Sequence, residues 1–385
     1  MPVIDNSPRE LVLLVGGNPL PNYVAACALK DRDAIQSVHL LFTKEVETVK
    51  DRLRDCLRRH LGLGCRETEL SDPANAERIT READAITPGA HFHYSGGTNA
   101  MAVHTYLAWL RAGGSIENAS YLYGQDVEAR LTTDSGVQLD LSNVQLSLDV
   151  LAELQGLEDA KTRSASDVGP TAEDVSEVVR KVILHPELAL MLYEMAPAKE
   201  PKKASDWLLP INARDHGLKL SEAVIPHSSW SGDQIKAWWK FFRKSEWLEI
   251  WVDLQVKATR LVKEEYVYVG AKPKIQGREF ELDVVAIRGH RLYLVSCTAE
   301  RKAPMCKLKL FEAATRARQL GGDLARSALV CLADDSVVQE LKKDVTTVSL
   351  ALKEPAVFGL PHVREWVGSE GTVPNLSTLS EWLTK

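Results

Sequence analysis

Short apolar runs alternate with amphipathic stretches through the first 150 residues. Leu11–Val15 is an unbroken apolar run that stops at Gly16-Gly17, and Asn22–Lys30 then repeats its apolar positions at helical spacing. Ser37–Phe42 reads as a second strand. Thr43 to about His60 reads as a charged amphipathic helix with Thr43 placed to cap it. His91–Tyr94 is a strand ending at Ser95-Gly96-Gly97-Thr98, and Asn99–Ala112 is a helix that stops at Gly113-Gly114. Ser120–Tyr123 and Ala129–Thr132 close the region as a hairpin. Such alternation predicts a mostly parallel sheet with helices on both faces.

The pattern then changes. Leu148–Leu157 is a short helix with Ser147 as its cap. Glu158 to about Ala172 is polar and holds a Gly-Pro, which marks a linker. Thr171–Glu194 is helical again, and Ala196–Ser205 is a connection rich in Pro and Lys. From Gln234 to about Leu261 a long helix carries Trp238, Trp239, Phe241, Phe242, Trp247 and Trp251. Tyr266–Gly270, Glu279–Ile287 and Arg291–Cys297 read as strands, Met305–Leu320 as a helix and Ser327–Leu332 as a further strand. This order predicts a second, compact α/β domain. The expected division is 1–155, a connector over 156–230, and 231–385. A chain of 385 residues agrees with it, because domains of about 100–200 residues are the common size.

Composition narrows the setting. Apolar residues make up 45% and charged residues 26%, as in a globular protein. No apolar run approaches the roughly 18–20 residues of a membrane span, so a membrane partner is not expected. The six cysteines form no C-x-x-C pair, which argues against a disulfide framework and for the cytoplasm. The net charge of −6 hides an asymmetry: Gln234–Val330 holds 10 Lys and 9 Arg against 11 Asp and Glu. A basic segment in an acidic chain points to a polyanion partner, with a merely solvated face as the alternative. Lys307, Lys309, Arg316, Arg318 and Arg326 would suit a phosphate backbone.

Two constellations carry chemistry. In the first, Gly16-Gly17-Asn18-Pro19 and Ser95-Gly96-Gly97-Thr98 each follow a strand and precede a helix, at the carboxyl edge of the expected sheet. Glycine lets a phosphate approach the backbone, and a helix N-terminus offers unpaired N–H groups to it. Ser95, Thr98 and Asn99 add polar donors. Neither turn is a G-x-G-x-x-G or a G-K-[ST], so dinucleotide and nucleoside triphosphate sites are not indicated. Asn118, Tyr121, Tyr123 and Gln125 are further candidates for the same edge. In the second constellation, Glu281 and Asp283 share one face of a strand, an oxygen-ligand pair suited to Mg²⁺ or Mn²⁺; a salt-bridged surface pair is the alternative. Glu249 sits on an otherwise apolar helix and needs a partner.

Val15-Gly16-Gly17-Asn18-Pro19 together with His93-Tyr94-Ser95-Gly96-Gly97-Thr98-Asn99 resembles the CARF (CRISPR-associated Rossmann fold) family. Within that family it resembles the members that carry a C-terminal PD-(D/E)xK nuclease-like domain. The resemblance implies a homodimer that binds a cyclic oligoadenylate, usually cyclic tetra-adenylate, across its two-fold axis in type III CRISPR antiviral defence. It implies ligand contacts at Gly17, Asn18, Pro19, Ser95, Gly96, Gly97, Thr98 and Asn99, with Thr43 as a weaker candidate. It also implies a metal-dependent nuclease acting on DNA or RNA, with Glu249 as the helix glutamate and Asp283 as the strand aspartate, both toward the metal. The family's Glu-x-Lys element is replaced by Ser296-Cys297-Thr298. Ser296 can still offer an oxygen, but Thr298 cannot stand in for an ammonium. Either Lys307 or Lys309 reaches the site from the following helix, with Glu300 restoring a carboxylate, or the domain binds nucleic acid without cutting it. Cleavage of the cyclic ligand by the first domain itself would need a base, and His93 and His104 are the nearest histidines.

Overall fold

The computed structural model describes residues 9–123, 130–162, 172–184, 246–348, 354–368 and 373–384. Gln125, Trp238, Trp239, Phe241, Phe242 and most of the expected connector lie outside the described residues.

The first sheet is built around β1 (Arg9–Leu14), buried on both sides. Leu11 and Leu13 face one apolar cluster while Val12 and Leu14 face another. Period-two alternation in an all-apolar strand allows this double burial. β2 (Ile35–Phe42) and β3 (Gly64–Glu69) extend the sheet on one side of β1, and β4 (His91–His93) and β5 (Ala119–Tyr123) extend it on the other. All these neighbours are parallel. β6 (Arg130–Thr133) and β7 (Gln138–Leu139) close the far edge as antiparallel strands. α1 (Leu20–Arg32) and α2 (Glu47–Leu61) contribute Tyr23, Val24, Leu53 and Leu57 to the Leu11–Leu13 cluster. α3 (Ala76–Glu82) and α4 (Asn99–Arg111) contribute Ile79, Met101 and Trp109 to the other. The strand at Gly64–Glu69 was not expected. Its residues are nearly all polar, and a paired edge strand tolerates that because one face and one side stay wet.

α5 (Leu148–Gln155) is capped by Ser147, whose Oγ accepts from the Val150 amide at 3.3 Å, and it ends at the left-handed Gly156. The stretch read as a linker then begins as a strand. β8 (Glu158–Lys161) pairs antiparallel with β9 (Val267–Ile275) of the second sheet. α6 (Ala172–Leu184) packs on α7 (Glu246–Ala258) through Val175, Val179 and Trp247. The short β10 (Arg278–Glu279) also pairs with β9. β9, β11 (Leu282–Arg288) and β12 (Arg291–Thr298) are antiparallel neighbours. β13 (Arg326–Cys331) and β14 (Ala356–Phe358) continue in parallel. The parallel crossover between β12 and β13 is α8 (Ala303–Gly321). Leu282, Val285 and Leu294 join the cluster that holds Leu11 and Leu13, so one apolar core runs through both sheets. Among the described residues no helix is long and apolar enough to cross a membrane.

Candidate functional site

The two glycine turns meet because β1 and β4 are hydrogen-bonded neighbours. The contact is close enough to dictate residue type. A Cβ on Gly96 would stand 1.9 Å from the Leu14 carbonyl oxygen, and one on Gly16 would stand 2.8 Å from the Gly97 nitrogen. Gly97 also has φ +74°, a left-handed conformation that costs other residues energy. Gly17 is different. It has no neighbour within 4 Å of a would-be Cβ and no positive φ, and it is exposed. Packing therefore explains Gly16, Gly96 and Gly97, whereas the openness of Gly17 leaves room for a ligand.

Several polar side chains of the turns are engaged within the protein. Ser95 Oγ accepts from the Leu122 amide at 2.6 Å, and Thr98 Oγ1 caps α4 by accepting from Met101 at 3.2 Å. Asn18 Oδ1 accepts from the Leu20 amide at 3.1 Å and from Gln155 Nε2 at 3.3 Å. Its Nδ2 packs on Gly322, just past the end of α8. Pro19 and Thr43 are buried. At α1 Pro19 and Pro21 carry no N–H, and the Leu20 amide is bonded to Asn18. At α4 the residues Gly97, Thr98 and Asn99 are exposed, which puts the N-terminus of that helix at the surface. Tyr121 is half-buried, its ring 5.7 Å from that of Tyr94, and Tyr123 is exposed. His93 is fully buried with Nδ1 3.1 Å from Ser120 Oγ. Burial and the neighbouring His91 push it down to about 3, so it is neutral and shut away from the edge.

In the second domain a cavity of about 310 Å³ gathers Glu281, Asp283, Ser296 and Lys309. Glu312 and Arg316 of α8 complete its far wall. Asp283 Oδ2 accepts from the Cys297 amide at 2.7 Å and from Ser296 Oγ at 3.0 Å. Burial pushes the Asp283 carboxyl up, partly opposed by the Cys297 amide and the Lys309 charge. Glu281 lies 3.6 Å from Lys272 at the rim, and Arg316 stacks 4.2 Å over the Phe280 ring. With Glu279, four carboxylates line the cavity against Lys309 and Arg316, and Lys272 stands at the rim, which leaves a carboxylate in excess.

The remaining candidates are elsewhere. Lys307 points away from the cavity, its Nζ 2.7 Å from Asp344 of α9 (Asp335–Val348). Thr298 Oγ1 accepts from the Glu300 amide at 3.2 Å, and neither residue lines the cavity. Glu249 is 5% exposed on α7, which packs on the sheet face carrying Val295 and Cys297, whereas alternation puts Asp283 and Ser296 on the other face. Burial and then the charges of Asp283 and Glu249 hold the Cys297 thiol protonated between them. A Glu249 carboxylate in the cation shell is thus not what the cavity displays. Arg318 pairs with Asp323 at 3.2 Å, and Arg326 is half-buried on β13. Sequence reasoning missed Glu312. The signal was there: Lys309 and Glu312 are three residues apart on a helix and so share a face.

A larger cavity of about 630 Å³ lies between the 138–145 segment and the β11–β12 turn, with Asp140, Arg288 and Arg291 in its walls. It contains none of the expected site residues.

No protein-family model matches the sequence, and no curated protein does. Solved structures do. Protein VC1899 from Vibrio cholerae superimposes with a TM-score of 0.71 at 13% identity, over 97% of this chain and 98% of that one. Can2 from Sulfobacillus thermosulfidooxidans, solved in complex with cyclic tetra-adenylate, gives a TM-score of 0.65 at 15% identity, over 97% of this chain and 99% of that one. Over nearly its whole length this chain therefore shares the fold of these two structures, a Rossmann-like α/β domain followed by a second mixed α/β domain.

Proposed function

We propose that the protein is a nuclease switched on by a cyclic oligoadenylate, cyclic tetra-adenylate first among them, in CRISPR-linked antiviral defence. The observation that carries the reading is the cavity. Asp283, Glu281, Glu312 and Lys309 line one cavity on a chain with an exposed glycine edge, in a fold shared with a protein solved bound to cyclic tetra-adenylate.

Asp283, Glu281 and Glu312 all offer the hard carboxylate oxygens that a divalent cation prefers, and burial disfavours an uncompensated charge on Asp283. Their oxygens are not gathered within 4.8 Å of one another, so a bound cation would have to draw them together. Bound there, Mg²⁺ or Mn²⁺ would polarise a phosphoryl oxygen and make a nearby water more acidic. Ser296 and the Cys297 amide hold the Asp283 carboxylate in one orientation. Lys309 supplies the ammonium that the strand lacks, placed to offset charge developing on the phosphate. Together Lys309 and Glu312 restore on a helix face the cation and carboxylate that Ser296-Cys297-Thr298 no longer provides on the strand. Arg316 is suited to a flanking backbone phosphate of DNA or RNA.

For the signal, Gly17, Gly97, Thr98 and Asn99 offer exposed backbone and a helix N-terminus to a phosphate. Beside them α4 presents Val103, Leu107 and Leu110 at 55%, 43% and 37% exposure, an apolar stripe that supports pairing with a second copy. Activation requires the cyclic ligand to bind the cutting-competent arrangement more tightly than the resting one. The packing of Asn18 on Gly322 joins the ligand edge to the helix that carries Lys309 and Glu312.

The test is plasmid DNA and labelled RNA with Mg²⁺ or Mn²⁺, with and without cyclic tetra-adenylate. Ligand-dependent cutting is expected, and Asp283→Ala should lower it by about 10³-fold or more. Lys309→Ala and Glu312→Gln should each cost about 10²–10³-fold, as loss of a charge-stabilising group does. Lys307→Ala removes an exposed ion pair worth about 0–1 kcal/mol and should leave the rate within about threefold. Binding of nucleic acid with no cutting under either metal would leave the ligand-gated binding protein as the function.

A further inference from the structure

We propose that Cys56, His60 and Glu153 form a Zn²⁺ site that clasps α2 to α5. None of the three belongs to the glycine edge or to the carboxylate cavity. Cys56 and His60 are four residues apart on α2 and so project from one face, and Glu153 comes from α5. Their ligand atoms all lie within 4.8 Å of one another.

The spacing already approaches a coordination shell. Cys56 Sγ is 3.7 Å and His60 Nε2 is 3.0 Å from Glu153 Oε2. Tetrahedral zinc with its usual bond lengths sets neighbouring S, N and O ligands about 3.3–3.6 Å apart. The two contacts to Glu153 are within a few tenths of an ångström of that, and Cys56 and His60, within 4.8 Å of each other, need to close by about an ångström at most. A thiolate, an imidazole and a carboxylate are a donor set that favours zinc over Mg²⁺ or Ca²⁺. Cys56 is 2% exposed, whereas the His60 and Glu153 side chains are about one-third exposed, so a water has access to the fourth position.

The proton balance is simple. Burial and then the Glu153 charge push the Cys56 thiol up to about 12, so without metal the thiol donates to the carboxylate. Burial raises the Glu153 carboxyl, but the His60 hydrogen bond and the Arg59 charge hold it below its usual range, so it is ionised. Zinc entry forms Zn–S, Zn–N and Zn–O bonds. Cys56 releases its proton to solvent, and the Nε2 proton that His60 donates to Glu153 is exchanged through solvent to Nδ1, which frees Nε2 to bind the metal. Arg59 Nη1, now 2.8 Å from Oε2, is on an exposed side chain and can move to the other carboxylate oxygen. The consequence is local stiffening. α5 is the last helix before β8 crosses into the second sheet, and its Leu148 amide donates to the Tyr268 hydroxyl of β9.

The experiment strips the full-length protein with a chelator and titrates Zn²⁺ against a chromophoric competitor. One zinc per chain is expected, with about one proton released per zinc at neutral pH. His60→Ala and Cys56→Ser should each weaken binding at least about tenfold, the scale seen when zinc loses even an outer partner. Asp283→Ala should leave this uptake unchanged, which separates the site from the carboxylate cavity. Co²⁺ in the unaltered protein should show a thiolate-to-metal charge-transfer band, a readout independent of how the variants fold. Absence of uptake, uptake unaffected by both substitutions, or a cobalt spectrum without the thiolate band would each overturn the site.

Discussion

The glycine edge and the carboxylate cavity are built on opposite plans. At the edge the proposed recognition surface is backbone. Two turns press together so closely that Gly16 and Gly96 have no room for a side chain, and the side chains of Ser95, Thr98 and Asn18 hold the turns in shape. In the cavity the surface is side chain. Asp283 and Ser296 come from neighbouring strands, and Lys309 and Glu312 are laid over them by a helix. A backbone surface tolerates little sequence change because its glycines are fixed by sterics. A side-chain surface can keep its charge pattern while individual groups move from strand to helix, the role we propose for Lys309 and Glu312.

The largest expected effect tests the packing of the edge. Gly96→Ala puts a methyl 1.9 Å from the Leu14 carbonyl, which belongs to a central strand and cannot yield. We expect a loss of about 3–5 kcal/mol, in the range of other strongly disruptive core changes. In thermal unfolding that corresponds to roughly 10 °C. Gly17→Ala meets open space and should leave Tm within about 2 °C, the scale of a neutral surface change, while weakening the cyclic ligand. Equal Tm for the two variants would refute the close approach of the turns.

The same contrast explains what could be read from the sequence. The central strands, the two turns and the cap at Ser147 are local signals, and they stand where alternation and turn chemistry put them. Thr43, expected to cap the long helix, makes no capping hydrogen bond and leads instead into a 3-10 turn at Lys44–Val46 ahead of α2. β8 was hidden because Glu158–Lys161 is polar and gains its order from pairing with β9, about a hundred residues away in sequence. Glu312 was hidden for a related reason: attention to the strand triplet Ser296–Thr298 left the helix face unread. Helical spacing could not by itself say which lysine of the 307–309 pair faces the sheet. The Asp344 partner that draws Lys307 away lies on a different helix. The pairing of Glu249 with the apolar face of β12 is likewise a tertiary fact.

A second expected effect concerns the cost of keeping Asp283 where it is. Burial raises its carboxyl above the ordinary value of about 4, so the folded protein binds that proton more tightly than the unfolded chain does. Its contribution to stability is present below the unfolded pKa and is lost as pH rises through the raised one. At pH 8 without metal the carboxylate is therefore a burden. Asp283→Asn keeps an oxygen to accept from Cys297 and Ser296 and removes the charge. We expect its Tm at pH 8 to exceed that of the parent by a few degrees, roughly 1 kcal/mol for a change of this kind, while cutting is lost. The gain should shrink toward pH 4 and should vanish when Mg²⁺ or Mn²⁺ is saturating. A gain that does not depend on pH would show that side-chain charge is not what strains the cavity, and the contrast with the backbone-built edge would fail there.

The smallest effect lies where the two plans touch. Gly322 ends α8 with φ +60°, and a Cβ there would stand 2.1 Å from Asn18 Nδ2 in the first glycine turn. Gly322→Ala therefore strains its own backbone and pushes Asn18 off the end of the helix that carries Lys309 and Glu312. Neither Asn18 nor Gly322 touches the cavity, so the basal rate with Mn²⁺ should be unchanged. If this contact transmits the signal, the ratio of ligand-stimulated to basal cutting should fall by about two- to thirtyfold, the equivalent of about 0.5–2 kcal/mol of coupling. Linkage then requires the affinity for the cyclic ligand to shift when a non-cleavable nucleic acid occupies the cavity of the parent, and to shift less in the variant. A lowered Tm with stimulation intact would make the contact packing alone. The edge would then have to reach the cavity by another route, and the continuous apolar core joining Leu11 and Leu13 to Leu282 and Leu294 is the next one to test.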